Sequence, residues 1–594
     1  MSSNPYFANE QEYLKELASH IAIEKPHLVD LLSNKIQDPD GARLMDGLAY
    51  LSGNLREQLD RQFSELTSSL VNMLWPAYAR PFPSMTIVEY QTDAQTLSYA
   101  SKIAAGQPFV AKPLYVQGET PNADSLHQCR FSQCRDLWLL PAKISHVRQR
   151  TKSIEIDFKL DKPRVLAEIG LDKLRIHLNG ATYTTHQLFY LLSHRIKQVT
   201  LVTEHHRLPL DNFAALPVGF KKEDALLPYP KNSYDGYRIL QEYFCFPEAF
   251  MFMDIKGLED LPLALNTDSF TLEIVFETEI PDAVVIRDDS IKLNCVPIAN
   301  LFTIDSEAID LTGKNDDYIL SASYRTPLCY DIFSINQVQG LRYPQNASPY
   351  AVNYTAFESF HHQSHNLKDK NHGYYRLKIN QMREAVGYRH TLSFVRDNET
   401  KLQNCEETVS VSLNCTNRNV ASRLSTHSIS LDKAYRPEGA LSATNLFKPT
   451  APLYPLLGQT LYWSELTNLS LNYQSLLNLT SLKQILQLYD LPSVFNRQTA
   501  RQSQQCLDSL ISLNTEHIEH LYRGLPVRGL KTTLTVRQSA FLSEGSLYLF
   551  CTVIAQFFAL YTSVNMFHEL EVINIDNKET YRWPAQINQQ ILKW

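Results

Sequence analysis

Between residues 44 and 73 the apolar positions fall three and four apart: Leu44, Leu48, Leu51, Leu55, Leu59, Phe63, Leu66, Leu70 and Met73. That spacing is the α-helical period, so these side chains share one face of a predicted helix. Arg43, Asp46, Arg56, Glu57, Asp60, Arg61 and Glu65 take the opposite face. Asp38 can cap the start, and Pro39 suits the first helical position, where a missing N–H costs nothing. The pair Trp75 and Pro76 stops it. At 1.5 Å per residue such a helix is about 50 Å long. A narrow apolar stripe on so long a rod packs either within its own domain or, as in a coiled coil, against a partner helix. The stripe from Leu44 to Leu70 is therefore the candidate partner-binding surface. Tyr13, Leu14, Leu17, Ala18 and Ile21 predict a shorter helix before it.

From Pro81 to about Phe447 the period changes to two. Segments 85–90, 154–158, 174–178, 270–276 and 408–413 alternate apolar and polar residues and are rich in β-branched ones. They read as half-buried strands. Helices interrupt them near 185–193 and 236–244. Beyond Leu457 a helix is predicted near 481–489, strands near 532–537, and an apolar helix from Ser546. The apolar run 547–561 is broken by Gln556 and is shorter than the ~20 residues of a membrane span, so it predicts a buried core helix. The expected fold is a multidomain α+β chain. It comprises an N-terminal helical region (1–80), two β-rich modules (81–285 and 286–450) and a C-terminal α+β domain (451–594).

A length of 594 residues supports several domains, because single cores stop growing near ~250–300 residues. Hydrophobic residues at 44% and charged residues at 20% place the chain in the globular class. With 56 basic and 63 acidic residues the net charge is −7, which lacks the basic footprint of a nucleic-acid binder. The nine scattered cysteines predict reduced thiols in a cytosolic protein rather than a disulfide framework. The N-terminus shows no basic and apolar signal-peptide pattern.

Candidate chemistry is sparse. His361, His362 and His365 put two histidines on one helical face, but no glutamate stands in the general-base position of a zincin, and they read as surface residues. His205 and His206 follow a strand and are expected to be exposed. Cys129 and Cys134 have no second pair to complete a zinc site. The phosphate-cradling glycine motifs and the nucleophile elbow are absent. Adjacent acids such as Asp316/Asp317 and Glu406/Glu407 would point to opposite faces of a strand, making poor acid–base pairs. No catalytic residue, cofactor site or metal site is predicted.

Five ordered blocks carry a resemblance to a known family. Residues 74–84, LWPAYARPFPS, follow the long helix and resemble the Leu-Tyr-Pro-x-Tyr-x-Arg-Pro-x-Pro-Ser signature of the TssF family, with Trp75 in place of tyrosine. Residues 236–247, GYRILQEYFCFP, are similar to its Gly-Tyr-Arg-Leu-Leu-x-Glu-Tyr-Phe-x-Phe-Pro segment. Residues 295–302, CVPIANLF, and 415–418, CTNR, match two further blocks. Residues 557–565, FFALYTSVN, with Trp583 and Pro584 beyond them, resemble the family's ending. Gly236 is expected to supply a turn before an amphipathic helix, and Phe557, Phe558, Tyr561 and Phe567 to be buried. The resemblance implies a non-enzymatic subunit of the type VI secretion baseplate wedge. It would assemble with TssG, TssK, TssE and a second TssF copy around the VgrG hub and nucleate tube and sheath. It would be cytoplasmic, docked at the inner membrane through the secretion complex without inserting into it. A phage-type baseplate wedge protein and a β-rich hydrolase are the alternatives.

Overall fold

The computed structural model describes residues 13, 47–53, 80–93, 97–115, 126–230, 235–259, 261–262, 265–311, 315–344, 348–357, 372–381, 387–395, 405–455, 478–522, 525–561, 566–587 and 590–591. The chain divides into two compact units, Met1–Leu74 with Leu456–Leu466, and Trp75–Pro455 with Thr467–Trp594. In the first unit, residues 47–53 are helical, with Ala49 buried and Leu48 and Leu51 exposed. The rest of the long predicted helix lies outside the described residues, as do His361, His362 and His365.

The second unit is built on mainly antiparallel sheets. A six-stranded sheet runs in the order Ile429–Leu431, Pro108–Ala111, Arg130–Gln133, Cys295–Ala299, Met85–Thr92, Ala440–Asn445. Its inward residues, among them Val88, Phe109, Phe131, Val296 and Ile298, form one apolar core. The sheet takes strands from both sides of residue 285, where the sequence places a boundary between modules. Strand pairing is a long-range choice that local periodicity does not encode. A second core lies within a larger sheet led by Asp331–Pro344 and Cys405–Thr416, with Val338, Leu392, Val409, Val411 and Leu413 inside. There Glu407 follows the alternation expected of a strand. It turns inward, accepting from the Tyr354 hydroxyl and from Arg342 Nε at 3.1 Å.

The helices predicted near 185–193, 236–244 and 481–489 and from Ser546 form. Helix α1 spans Thr182–His194, α2 Asp235–Cys245, α3 Leu479–Tyr489, α4 Leu491–Phe495, α5 Arg497–Asp508 and α6 Glu544–Tyr561. Asn478 caps α3 by accepting from Thr480 N, a short polar residue at the position that favours one. Helix α6 is apolar all round, which marks a buried helix. Leu547, Leu549, Val553, Ile554, Phe557 and Phe558 are all fully enclosed. It forms the crossover between Leu525–Val536 and Phe567–Asn574, which pair in parallel, and it packs on α1 and α2. No helix among the described residues is long and apolar enough to cross a membrane.

Candidate functional site

The signature blocks pack on one another. Gly236 is the second residue of α2, not a turn before it. Its missing side chain is used for close approach: a Cβ there would stand 3.0 Å from the Phe557 ring of α6. The next residue, Tyr237, stacks on Tyr489 of α3 with ring centroids 5.1 Å apart and lies 5.8 Å from Phe557. The block at 236–247 and the one at 557–565 therefore meet across a helix pair.

One turn further, Arg238 and Glu242 sit four residues apart on one face of α2, both fully buried. Arg238 Nη1 lies 3.1 Å from Glu242 Oε2. Arg238 Nη2 donates to the carbonyls of Phe220 (3.0 Å) and Lys221 (3.1 Å), and Glu242 Oε1 accepts from Leu226 N at 2.9 Å. The pair thus fastens segment 219–226 to the helix. Arg135, also fully buried, donates to the carbonyls of Ala249 (2.8 Å) and Asp224 (2.5 Å). Burial pushes the Glu242 carboxyl above the usual carboxylate range, and the charges of Arg238 and Arg135 pull it back. The cluster is enclosed and charge-paired, and burial pushes the neighbouring Cys134 and Cys245 thiols well above their ordinary range, so its evident work is to hold these segments together.

A second junction joins the other three blocks. Residues 85–89 pair with 295–299 as antiparallel strands, and Asn300 N donates to Ser84 O. Asn300 and Asn417 exchange hydrogen bonds, Asn300 Nδ2 to Asn417 Oδ1 at 2.9 Å and Asn417 N to Asn300 Oδ1 at 2.6 Å. The same two side chains serve the backbone of Arg130, whose carbonyl accepts from Asn300 Nδ2 and whose N–H donates to Asn417 Oδ1. They stand in where the neighbouring strand ends, which keeps buried backbone groups satisfied. Arg418 adopts a left-handed backbone conformation (φ 47°) beside the buried Asp331, 3.8 Å away. Burial pushes Asp331 up to about 6 against the opposing pull of Arg418. Arg80 reaches Pro228 O at 3.3 Å and lies over the Phe333 ring.

One block, 295–302, and residues shortly before two others, 225–228 and 414, also border an open groove of about 1000 Å³. Its floor is the outward face of two strands, where Val110 stands opposite Arg130 and Pro108 opposite Ser132. Phe109 and Phe131 point the other way, into the core, because side chains alternate along a strand. Leu227 and Pro228 form one wall, Leu301 and Phe302 another, and Lys433 and Tyr435 the rim.

Of the residues singled out in the sequence, Leu48 and Leu51 are 50% and 67% exposed, and Leu44, Leu55, Leu59, Phe63, Leu66 and Leu70 lie outside the described residues. His205 and His206 are exposed; Cys129 is buried and Cys134 half-buried. No disulfide links the described cysteines, and no group of three or more His, Cys, Asp or Glu among the described residues could hold a metal ion. Phe557, Phe558 and Phe567 are buried as expected; the side chain of Tyr561 lies outside the described residues. Sequence reasoning missed a cluster in which Glu544 accepts from Tyr190 (2.9 Å) and Tyr581, and Arg195 pairs with Glu579. These residues fall outside the five blocks and have no local spacing to betray them.

The family model for the type VI secretion system component TssF matches residues 2–590. The chain belongs to the TssF family. It is 24% identical over 636 residues to the type VI secretion system component TssF1 of Pseudomonas aeruginosa, covering 98% of each. A chain of the cryo-electron-microscopy structure of a TssK–TssF–TssG baseplate subcomplex superposes on this TssF-family chain with a TM-score of 0.76 at 26% identity, over 93% of this chain and 99% of that one. A chain of the type VI secretion baseplate complex superposes with a TM-score of 0.60 at 23% identity over 99% of both, which shows a shared fold. In this TssF-family chain the blocks that signal membership are mutual packing partners.

Proposed function

We propose that this chain is a structural subunit of the type VI secretion baseplate wedge that binds TssG and TssK and turns over no substrate. The observation that carries this reading is the interlocking of all five signature blocks through buried rings, amide pairs and ion pairs. Their side chains are committed to rigidity, the property a platform for tube and sheath requires. The likeness to a TssK–TssF–TssG subcomplex over nearly the whole chain supports the choice of partners. TssE, a second TssF copy and the VgrG hub complete the proposed assembly, held at the inner membrane through the secretion complex. The stripe Leu44, Leu48, Leu51, Leu55, Leu59, Phe63, Leu66 and Leu70 is the proposed helix-bundle contact. The exposure of Leu48 and Leu51 supports it, because a stripe serving its own core would be covered.

Co-expression with TssG and TssK tests the reading: the tagged chain should elute in a large complex with both. Leu55→Asp with Leu59→Asp should abolish TssG recovery while the chain stays soluble with its native melting temperature. Normal assembly of that variant refutes the stripe. Elution of the native chain alone refutes the scaffold.

A further inference from the structure

We propose that the open groove receives an extended segment of a baseplate partner in which a carboxylate side chain stands beside apolar ones. The inference rests on the scaffold reading and adds the chemistry of one contact. Two cations enter the groove, Arg130 from the floor and Lys433 from the rim, and both are exposed. Among the described residues neither forms an ion pair. The one carboxylate among the lining residues, Asp432, is already engaged, since its Oδ1 accepts from Ala434 N at 3.0 Å. In a chain of net charge −7, an apolar recess with two uncommitted cations is complementary to an acidic occupant.

The apolar part of the match is equally specific. Phe302 is half-buried and Tyr435 64% exposed, so both present ring surface that an occupant would cover. Large rings that trade solvent for contact are the usual anchors of an interface. Exposed Gln128, Thr303 and Ser430 donate to Ala111 O, Asn414 Oδ1 and Val110 O, which leaves their oxygens as acceptors for the N–H groups of a peptide backbone. A volume of about 1000 Å³ is at the upper end for small-molecule sites, and those enclose most of their ligand. A groove exposing this much of its floor and rim suits a length of chain. Leu301 and Phe302 belong to the interlocking block 295–302, and Leu227 follows Leu226, whose N–H donates to Glu242, so the groove walls are anchored, which lowers the ordering cost of binding.

The test is a photo-crosslinking amino acid at Tyr435 in the full-length chain, irradiated within the complex purified with its partners. The expected product joins Tyr435 to one segment of a partner subunit that carries Asp or Glu next to apolar residues. Arg130→Glu with Lys433→Glu should lower the yield about tenfold, whereas Arg130→Lys with Lys433→Arg should retain it. Both side chains are exposed, so thermal melting should be unchanged. If the glutamate pair fails to fold, Arg130→Gln with Lys433→Gln gives the same readout without added repulsion. A crosslink to a basic segment or to a second copy of this chain overturns the proposal. So does a yield indifferent to charge reversal, or no crosslink from an intact complex. If the native chain recovers no partner, the scaffold reading itself falls, a result separable from the others.

Discussion

Replacing Glu242 with glutamine removes one negative charge from the interior and little else. The amide keeps an acceptor for Leu226 N. Two guanidinium groups, Arg238 and Arg135, each 1% exposed, lose the carboxylate whose charge acts on both. Removing one partner of a buried ion pair costs about 3–5 kcal/mol, because the remaining charge is left in a medium that cannot solvate it. Arg238 keeps its carbonyl partners at Phe220 and Lys221, which favours the lower end. A loss of 1 kcal/mol lowers the melting temperature by ~2–4 °C in a domain of 150–250 residues, and by less in a larger unit. Glu242→Gln should therefore melt about 3–5 °C below the native chain. The near-ultraviolet circular dichroism of the Tyr237–Tyr489 stack is the natural probe. Arg238→Met with Glu242→Leu removes both charges and should cost less than the two single losses combined. A glutamine variant that melts with the native chain, or single losses that simply add, would refute the coupling.

Gly236→Val should overpack the α2–α6 contact against Phe557 and cost about 1–3 kcal/mol, read as a lower melting temperature. Asn417→Ala removes the acceptor of the Arg130 N–H and one of the two acceptors of Asn300 Nδ2; at about 1–3 kcal/mol for a buried donor left unmade, protease resistance of the 126–133 segment should fall. Asp331 titrates near 6 when folded against an ordinary value near 3.8, so the folded state binds the extra proton between those values. Its contribution is present below about 4 and lost as pH rises through about 6, and Asp331→Asn should flatten that slope in melting curves taken from pH 4 to 7. His177, His186, His390 and His568 are held by burial at about 3, 4, 4 and 3. Their contribution is present above about 6.5 and falls as pH drops toward those values, so at pH 5 each should cost up to about 2 kcal/mol, seen as early acid unfolding.

What the amino-acid order determined alone is local. Alternation at 154–158, 270–276 and 408–413 marked strands that form, because a two-residue period leaves one face to bury wherever the strand goes. The apolar run from 547 gave a buried helix for the same reason, since no orientation of it presents a polar face. The five blocks identified the family and placed Phe557 and Phe558 inside. Only the tertiary structure decided what each buried face meets. Strand 85–92 pairs with 295–299 and 440–445, partners hundreds of residues away that periodicity cannot select. Gly236, which seemed a turn, is a contact point whose meaning lies in Phe557. Asn300 and Asn417, ordinary polar residues in sequence, close a strand edge together, and the groove exists only where segments around 108, 130, 227, 301 and 433 converge. Local preference depends on a residue and its neighbours, whereas pairing depends on the summed burial and hydrogen bonding of segments that no window along the chain contains.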